Sequence, residues 1–528
     1  MMLVHDILEH SALQVPDKIA LVCKKQRLTY RHINELSDKV AAHLVKIGVQ
    51  RHDRVAILLN NSVISVVSLF GILKAGATFI MLNASMKSTK LNYVLKDSGS
   101  TVLITHQNKH KTVKQAVPDC KDLRYVIWCH GPRAFDDKLE MSASIINLDW
   151  DSILADPPSL KKLSFPRSID LDLSNIIYTS GSTGDPKGVM SAHYNVIAAT
   201  RSISSYLRMN ADDIVMNVLP LSFDYGLYQI FMTFLVQGTL VLEESFSYPY
   251  KILEQLENEK ATGFPIVPTM AALILQMKTL SKFDFSRLRF ISNTAAALPV
   301  TFIDALQKIF KKTDIFSMYG LTECKRVSYL PPEDIERKPG SVGIAMPNEE
   351  VFIVDQEGNE LEAGNVGELV VRGSNVMQGY WNDPETTAKV FRPGKYHGET
   401  LLYSGDLFKK DEDGYLYFVS RKDDMIKTKG ERVSPKEIEA VLHNMDGIAD
   451  VAVFGVPDHV FGQAIVACIR LNNGTAISER ELKKYCTDNL EPFMVPKYFK
   501  FMDDFPLSAS RKIDKKLMAE DYINKINE

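Results

Sequence analysis

The chain has 528 residues, of which 45% are hydrophobic and 24% charged, and its 62 Lys and Arg against 65 Asp and Glu give a formal net charge of −3. This length predicts two or more domains, and the near balance of charge argues against a polyanion such as tRNA or DNA as a main partner. The six cysteines are scattered, with no CxxC and no His/Cys cluster, which favours a reduced compartment and no structural zinc.

The N-terminal segment has acidic residues early and lacks the uncharged core of a signal peptide. The most apolar window, residues 63–82, is interrupted by Gly71, Lys74 and Gly76. It therefore predicts a buried helix followed by a buried strand rather than a membrane span. We expect a cytoplasmic protein without a membrane span.

Amphipathic segments alternate with short apolar runs over the first 350 residues. A helix is predicted at 35–49, strands at 54–60 and 101–106, and further strands in NIIYTS, DIVMNVLPL and TGFPIVP. This alternation predicts an α/β fold with largely parallel sheets that are covered on both faces. From about Val351, short alternating strands joined by Glu-Gly or Asp-Gly turns predict an antiparallel, barrel-like region that closes the large domain.

The residues after Arg421 predict a small α+β domain. Ser434, Pro435 and Glu437 have the spacing of an N-cap, an N1 proline and a capping-box glutamate, and 478–481 repeats the capping-box spacing before a second helix. ADVAVFGVPD and AIVACIRL predict two strands. The charged stretch SRKDDMIKTKGERV suits an exposed linker. Two domains are therefore expected, an N-terminal core over 1–422 and a C-terminal domain over 423–528.

The stretch YTSGSTGDPKGVM, residues 178–190, has the composition of a phosphate-binding loop. Its hydroxyls can donate to an anion, its glycines let backbone N–H groups approach closely, and Lys187 adds a positive charge. A Walker A loop would need glycine where Pro186 stands and Ser or Thr where Gly188 stands, so that class of NTPase is excluded. A flexible linker is the alternative, but the strand predicted just before the loop disfavours it.

The string YTSGSTGDPKG closely resembles the phosphate-binding signature of the adenylate-forming superfamily, which includes acyl-CoA synthetases, amino-acid adenylation domains and luciferases. MYGLTE resembles the family's YGxTE, YSGD its ribose-binding motif, SRKDDMIKTKGERVSPKEIE its hinge-and-loop motif, and PLSASRKID its terminal lysine motif. The resemblance covers nearly the whole chain. It implies that ATP and Mg²⁺ activate an acid as an acyl-adenylate, which the phosphopantetheine thiol of CoA or of a carrier protein then attacks.

By the same resemblance, one set of residues would bind ATP and its metal. The phosphates would lie against Thr179, Ser180, Gly181, Ser182, Thr183, Gly184 and Lys187, the adenine against Tyr319, Gly320 and Thr322, the ribose against Asp406 and Arg421, and Mg²⁺ against Glu323 and Thr179. Lys512 would neutralise charge during adenylation, which makes Lys512, Glu323 and Lys187 the expected catalytic residues. Taken alone, Glu323 could be a solvated charge, Asp406 a turn residue and Lys512 one of several surface cations.

The resemblance also implies a rotation of the small domain between two half-reactions. Asp423 matches the hinge position, and the loop with Lys429, Gly430 and Arg432 would serve thioester formation. Two residues depart from the family pattern, because Arg511 and Ser420 stand where the family usually has glycine.

The identity of the acid rests on fewer residues. Phe223-Asp224 resembles the pair of amino-acid adenylation domains in which the aspartate binds the substrate's amino group, although Gly226 stands where serine is expected; a helix-start aspartate is the alternative. Arg326 could face a substrate carboxylate or Asp224 itself. The residues expected to line the acid cavity are Asp224, Tyr225, Tyr228, Ala295, Ala296 and Arg326. Aromatic walls favour a small or cyclic amino acid such as proline over a long acyl chain.

The thiol is expected to be external, because the chain ends 16 residues after Lys512 with no phosphopantetheine attachment domain. We expect a stand-alone enzyme that loads an amino acid onto a separate carrier protein. The alternative is an acyl-CoA ligase for an organic or fatty acid. Intact Lys187, Glu323, Asp406 and Lys512 argue against a non-catalytic binding protein, and nothing favours a luciferase-like oxygenase.

Overall fold

A computed structural model gives the fold. It describes residues 2–129, 145–155, 157, 165–180, 186–294, 298–422, 425–428, 431–458, 462–490, 492–508 and 513–527, with only the backbone at 180, 427, 431, 432, 462 and 525–527. The chain forms two compact units. The first unit comprises Met1–Val351 and Val371–Tyr403, and the second comprises Phe352–Val370 and Ser404–Glu528.

The helices are distributed along both units. In chain order they are α1 Asp6–Gln14, α2 Tyr30–Lys46, α3 Val63–Lys74, α4 Ser88–Ser98, α5 His110–Ala116, α6 Trp150–Ala155, α7 His193–Tyr206, α8 Asp224–Leu235, α9 Pro249–Asn258, α10 Pro268–Leu275, α11 Val300–Ile309, α12 Pro384–Val390, α13 Pro435–His443, α14 Glu479–Asn489 and α15 Lys515–Asn527.

The strands are mostly short. In chain order they are β1 Ile19–Cys23, β2 Gln26–Thr29, β3 Arg54–Leu58, β4 Thr78–Leu82, β5 Ser100–His106, β6 Tyr125–Cys129, β7 Ile146–Asp149, β8 Leu173–Ser180, β9 Pro186–Ala192, β10 Ile214–Asn217, β11 Thr239–Leu242, β12 Gly263–Ile266, β13 Phe290–Asn293, β14 Asp314–Tyr319, β15 Ser328–Leu330, β16 Ile344–Ala345, β17 Glu349–Val354, β18 Val366–Gly373, β19 Phe391–Pro393, β20 Thr400–Lys410, β21 Leu416–Arg421, β22 Ile426–Thr428, β23 Glu431–Val433, β24 Ile448–Asp458, β25 Gly462–Leu471 and β26 Tyr498–Phe501.

Two large sheets organise the first unit. One has the strand order β7-β6-β5-β3-β4-β8-β9, and the other has the order β16-β15-β14-β13-β12-β10-β11-β1-β2. Pairing is parallel through the centre of each sheet and antiparallel only near the ends, at β8–β9, β14–β15, β15–β16 and β1–β2. The predicted α/β fold with largely parallel sheets is confirmed.

The apolar window at 63–82 is the buried helix α3 followed by the strand β4. Every residue of β4 is buried, as is every residue of α3 from Ser65 to Lys74. Lys74 reaches Asp38 at 2.6 Å, so its charge is compensated inside the unit. In the described part of the chain, no helix combines the length and apolarity that crossing a membrane requires. All six cysteines are buried and none forms a disulfide.

The helix predicted at 35–49 is α2, which begins five residues earlier than expected. Thr29 caps it, because its side chain accepts a hydrogen bond from the backbone N–H of His32. An N-cap of this kind satisfies a donor that the first helical turn leaves without a partner.

The predicted antiparallel strands after Val351 are also found. Strands β17, β18, β20 and β19 form a sheet in that order, with β21 paired to β20. The C-terminal region has a second sheet, ordered β23-β22-β25-β24, with β26 beside β25. Together with α13, α14 and α15 this is the expected small α+β arrangement.

One of the two predicted capping boxes forms. Ser478 and Glu481 exchange the expected hydrogen bonds at the start of α14. At α13, Ser434 is the N-cap residue and Pro435 begins the helix as predicted, but the Ser434 hydroxyl donates to the backbone carbonyl of Val419 and makes no capping bond.

Candidate active site

A β-hairpin flanks the predicted phosphate loop. Strands β8 and β9 pair antiparallel, with Thr179 opposite Lys187 and Ser180 opposite Pro186. Residues directly opposite in an antiparallel pair lie on the same face, so the Thr179 and Lys187 side chains share one face beside residues 181–185. Four predicted loop residues lie outside the described part of the chain: Gly181, Ser182, Thr183 and Gly184.

The Lys187 ammonium lies against the start of helix α12. Its Nζ is 3.1 Å from the Thr386 hydroxyl and 3.6 Å from the Asp383 carboxylate. Asp383 is the N-cap of α12 and accepts a hydrogen bond from the Thr386 backbone N–H. Lys187 is 24% exposed, so its charge is held next to solvent rather than buried.

Glu323 lies in the connection between β14 and β15 together with Gly320 and Thr322, and Tyr319 is the last residue of β14. Its Oε1 accepts a hydrogen bond of 2.6 Å from the Tyr380 hydroxyl, and its backbone carbonyl accepts one of 2.9 Å from the Met377 N–H. Tyr380 is a partner that sequence reasoning missed, because nothing local in the sequence links two residues that are 57 positions apart.

The same connection turns back sharply on itself. Lys325 has a left-handed backbone, with φ of 74°. A Cβ added at Gly320 would lie 2.6 Å from the Lys325 carbonyl oxygen. Glycine is therefore required at position 320 by the close approach of two backbone segments.

The donor set fits magnesium better than a transition metal. Mg²⁺ prefers oxygen ligands and is commonly held by one or two carboxylates together with phosphates and water. Glu323 and Thr179 offer a carboxylate and a hydroxyl, and among the described residues no group of three or more His, Cys, Asp or Glu could hold a metal ion alone. The residues present thus fit a metal that arrives with ATP.

The predicted acid cavity contains a buried ion pair. Asp224, the first residue of α8, has its Oδ2 3.3 Å from the Nζ of Lys325. The Lys325 side chain is 1% exposed and that of Asp224 11%. Burial lowers the pKa of Lys325 to about 7, although Asp224 acts in the opposite direction. Asp224 thus has a cationic partner within the chain, Lys325, which sequence reasoning missed.

Arg326 is the second buried cation of this region and is 2% exposed. Its guanidinium carbon lies 5.3 Å from the centre of the Tyr225 ring, and its Nε has no hydrogen-bond partner among the described residues. Burial raises the pKa of the nearby Glu349 carboxyl well above its usual range. The Arg326 guanidinium thus keeps a donor, its Nε, that no described residue accepts from, and it lies beside the Tyr225 ring.

Two tyrosines of α8 complete the described part of this wall. The Tyr225 hydroxyl reaches the Ser292 carbonyl at 2.7 Å, and the Lys325 ammonium lies 4.2 Å from the centre of the Tyr228 ring. Within the part of the chain that the structure describes, the buried Tyr228 hydroxyl has no hydrogen-bond partner. Ala295 and Ala296 lie outside the described residues.

At position 226 the resemblance predicts serine, but the surrounding backbone leaves room only for glycine. A Cβ at this position would lie 2.4 Å from the Pro220 carbonyl oxygen and 2.7 Å from that of Leu219. Both are backbone atoms that cannot move aside easily, so any side chain here would displace the start of α8.

The two predicted ribose ligands lie opposite each other in the second unit. Asp406 in β20 pairs with Arg421 in β21, and the Arg421 Nε is 3.6 Å from Asp406 Oδ1. The Asp406 side chain is 10% exposed and that of Arg421 64%. The two oxygens of a carboxylate could accept two hydroxyl hydrogen bonds from a ribose.

The remaining predicted residues cannot be placed. Lys512, Asp423, Lys429 and Gly430 lie outside the described residues, and of Arg432 only the backbone is described. Strands β22 and β23, on either side of 429–430, pair with Lys427 opposite Arg432.

Comparison with known proteins identifies the class. The model of the AMP-binding enzyme family matches residues 8–381, and that of the AMP-binding enzyme C-terminal domain matches residues 437–512. The chain belongs to this family, the adenylate-forming enzymes. It is an AMP-forming ligase that uses ATP and Mg²⁺ to join an acid to a thiol through a carbon–sulfur bond.

Similar proteins match over nearly their whole length. A long-chain-fatty-acid–CoA ligase of Bacillus subtilis is 31% identical over 98% of this chain and 94% of its own, and an oxalate–CoA ligase of Arabidopsis thaliana is 30% identical over 98% of both. The crystal structure of ATP-bound MatB from Rhodopseudomonas palustris superposes with a TM-score of 0.87, at 28% identity over 99% of both chains.

Proposed function

We propose that this ligase activates a small polar carboxylic acid and transfers it to CoA. The observation that carries the proposal is the buried charge beside helix α8. Asp224, Lys325 and Arg326 are all nearly inaccessible to solvent, and they adjoin the tyrosines expected to line the acid cavity. Asp224 and Lys325 compensate each other, but a long alkyl chain packed there would leave the buried Arg326 Nε without a partner, which is unfavourable.

Sequence identity alone does not choose the acid. One relative is named for a long fatty acid and another for oxalate, at 31% and 30% identity. The charges of the cavity wall favour the second kind of substrate. Because Lys325 already pairs with Asp224, Arg326 is the cation left to receive a second polar or anionic group of the acid. The names of both relatives support CoA as the acceptor.

A second candidate is a small amino acid, such as proline, loaded onto a separate carrier protein. The greater exposure of Asp224 favours it, because the Asp224 side chain is 11% exposed whereas that of Lys325 is 1% exposed. A carboxylate that keeps access to a cavity could also accept an ammonium group. The two candidates differ in what Asp224 does, and mutation of Asp224 separates them.

In the proposed reaction, a carboxylate oxygen of the acid attacks the α-phosphorus of ATP and pyrophosphate leaves. The thiol sulfur then attacks the acyl carbon, its proton is lost to solvent, and AMP leaves. Lys187 and the loop before it would hold the phosphates, and Lys512 would offset developing negative charge. Glu323 and Thr179 would hold Mg²⁺, which supplies positive charge beside the phosphates when bound.

The small domain is proposed to serve both steps. Its boundary at 422/423, the hinge at Asp423 and the loop at Lys429 to Arg432 remain predictions from the resemblance. Tyr319 beside adenine and Asp406 with Arg421 on the ribose are proposals of the same kind. A cytoplasmic location also stays a prediction.

ATP–pyrophosphate exchange tests the acid. The panel comprises small dicarboxylic and hydroxy acids, small amino acids including proline, and fatty acids. We expect exchange with a small polar acid that has no amino group, and exchange with fatty acids only would contradict the proposal. Arg326→Lys should raise the KM for the acid at least tenfold, about the effect of weakening a buried charged contact, with the KM for ATP unchanged.

One further variant separates the candidates, and a second serves as the control. If the first candidate is right, Asp224→Asn should keep exchange with the organic acid. If the second candidate is right, it should abolish exchange with the amino acid. Arg27→Lys is the matched control, since Arg27 forms an exposed ion pair with Glu259 and should leave both KM values unchanged. Loss of amino-acid exchange in Asp224→Asn alone would select the second candidate.

A further inference from the structure

We propose that Tyr380 is a positioning residue for Glu323, and that the segment from Met377 to Thr387 holds both Glu323 and Lys187 in place for ATP. The inference rests on the proposed roles of Glu323 as a magnesium ligand and Lys187 as a phosphate ligand. It adds residues that the family motifs at 178–190 and 318–323 do not include.

The first contact joins Tyr380 to the Glu323 carboxylate. The Tyr380 hydroxyl donates to Glu323 Oε1 at 2.6 Å, a length typical of a hydroxyl bound to a carboxylate. Tyr380 is only 8% exposed, and its ring packs edge-on against Phe391 with the ring centres 5.6 Å apart. The donor is therefore held rigidly, and it fixes where one carboxylate oxygen lies.

Backbone hydrogen bonds anchor the same segment on two sides. The Met377 N–H donates to the Glu323 carbonyl at 2.9 Å, and the Trp381 N–H donates to the Gly188 carbonyl at 2.7 Å. Val189 forms an isolated bridge with Tyr380. The segment thus lies between the Glu323 connection and strand β9, which carries Lys187, so a shift of either side would be transmitted to the other.

The end of the segment contacts Lys187 directly. Thr386 and Asp383 lie 3.1 Å and 3.6 Å from the Lys187 ammonium. The Tyr380 backbone N–H donates to the Thr387 hydroxyl at 2.9 Å, which ties the start of helix α12 to Tyr380. One stretch of chain therefore sets the separation between the group proposed for the metal and the group proposed for the phosphates.

Partners that orient a metal ligand contribute to metal affinity even though they do not touch the metal. Their mutation typically lowers metal affinity about 10–100-fold. Tyr380→Phe removes only the hydroxyl and keeps the ring against Phe391. We expect it to weaken metal binding by about tenfold, because Glu323 then loses the donor that fixes one of its carboxylate oxygens.

The test measures metal binding without turnover. Mn²⁺ is titrated into the full-length enzyme with a non-hydrolysable α,β-methylene ATP analogue, and bound Mn²⁺ is followed by electron paramagnetic resonance. Tyr30→Phe is the matched control, since Tyr30 is a buried tyrosine whose hydroxyl donates to the Gly238 carbonyl at 2.6 Å. Tyr380→Phe should bind Mn²⁺ about tenfold more weakly than Tyr30→Phe, and equal affinity would overturn the proposal.

Two more variants separate this inference from the proposed function. If Glu323→Gln leaves Mn²⁺ binding unchanged, the metal role of Glu323 fails and the inference fails with it. If Glu323→Gln abolishes binding while Tyr380→Phe does not alter it, only the inference fails. Thr386→Val should raise the Kd of the ATP analogue measured without metal several-fold, and an unchanged Kd would contradict the Lys187 half of the proposal even if Tyr380→Phe were unstable.

Discussion

A buried histidine, His193, and its half-buried neighbour His5 should make the first unit sensitive to mild acid. His193, the first residue of α7, is 2% exposed, and its Nδ1 accepts a hydrogen bond of 3.0 Å from the Val4 N–H. His5 lies edge-on to it, with the ring centres 5.9 Å apart. Burial, with a smaller contribution from Lys74, lowers the pKa of His5 to about 4, and burial lowers that of His193 to about 3, with His5 adding to the effect. The carboxylates Asp6, Asp170 and Asp172 oppose this shift at His193 but do not reverse it.

The sign and size of the effect follow from these pKa values. An unfolded histidine has a pKa of 6.5, so between about pH 6.5 and 4 the unfolded chain binds protons that the folded chain does not. The free energy of unfolding therefore falls as the pH falls through this range, at up to about 1.4 kcal/mol per pH unit for each histidine. From pH 7 to pH 5 each histidine should remove roughly 2 kcal/mol of stability.

The perturbation that isolates one histidine is His193→Asn, whose amide oxygen could still accept from Val4. Urea unfolding of wild type and variant is followed by tryptophan fluorescence, because Trp128, Trp150 and Trp381 all belong to the first unit. The stability of wild type relative to the variant should fall by about 2 kcal/mol from pH 7 to pH 5. It should stay constant from pH 7.5 to pH 9, where the imidazole is neutral in both states. A difference that does not change between pH 7 and pH 5 would refute the reasoning.

Two other substitutions test the packing around the candidate site. Asn375→Ala should lower the free energy of unfolding by at least about 2 kcal/mol. The reason is that the buried Asn375 amide donates to Glu349 Oε2 at 2.6 Å and to the Cys324 carbonyl at 2.8 Å. Urea unfolding measures this change, and a loss below about 0.5 kcal/mol would contradict the prediction. Gly226→Ala should destabilise the unit by about 1–3 kcal/mol and reduce exchange activity, because its Cβ would lie 2.4 Å from the Pro220 carbonyl oxygen; a variant with wild-type melting temperature and activity would show that the backbone has room.

The sequence predicted helices, strands and helix caps correctly where the signal lay in residues that are neighbours in the chain. The interruptions by Gly71, Lys74 and Gly76 predicted that the apolar window at 63–82 is a buried helix followed by a buried strand. These residues form helix α3 and strand β4. The capping box at Ser478 and Glu481 depends only on neighbours in sequence. The one at 434–437 failed because a carbonyl from another strand, that of Val419, competes for the Ser434 hydroxyl.

The candidate site was predictable where family motifs marked it and not where partners come from distant segments. The motifs marked Thr179 and Lys187 as parts of one loop, and the structure adds that the two residues are paired across strands β8 and β9. Lys325 was not singled out, although it stands beside Arg326, because its pairing with Asp224 arises only when the β14–β15 connection packs on α8. Tyr380 is a similar case, because its hydrogen bond to Glu323 joins two residues that lie 57 positions apart in the sequence.

The most direct test of the central claim is product analysis with the acid that supports exchange. The enzyme is incubated with that acid, ATP, Mg²⁺ and CoA, and the products are identified by mass spectrometry. We predict one AMP, one pyrophosphate and one CoA thioester for each small polar acid consumed. Formation of ADP, or of an acyl-adenylate that passes to a carrier protein but not to CoA, would contradict the account.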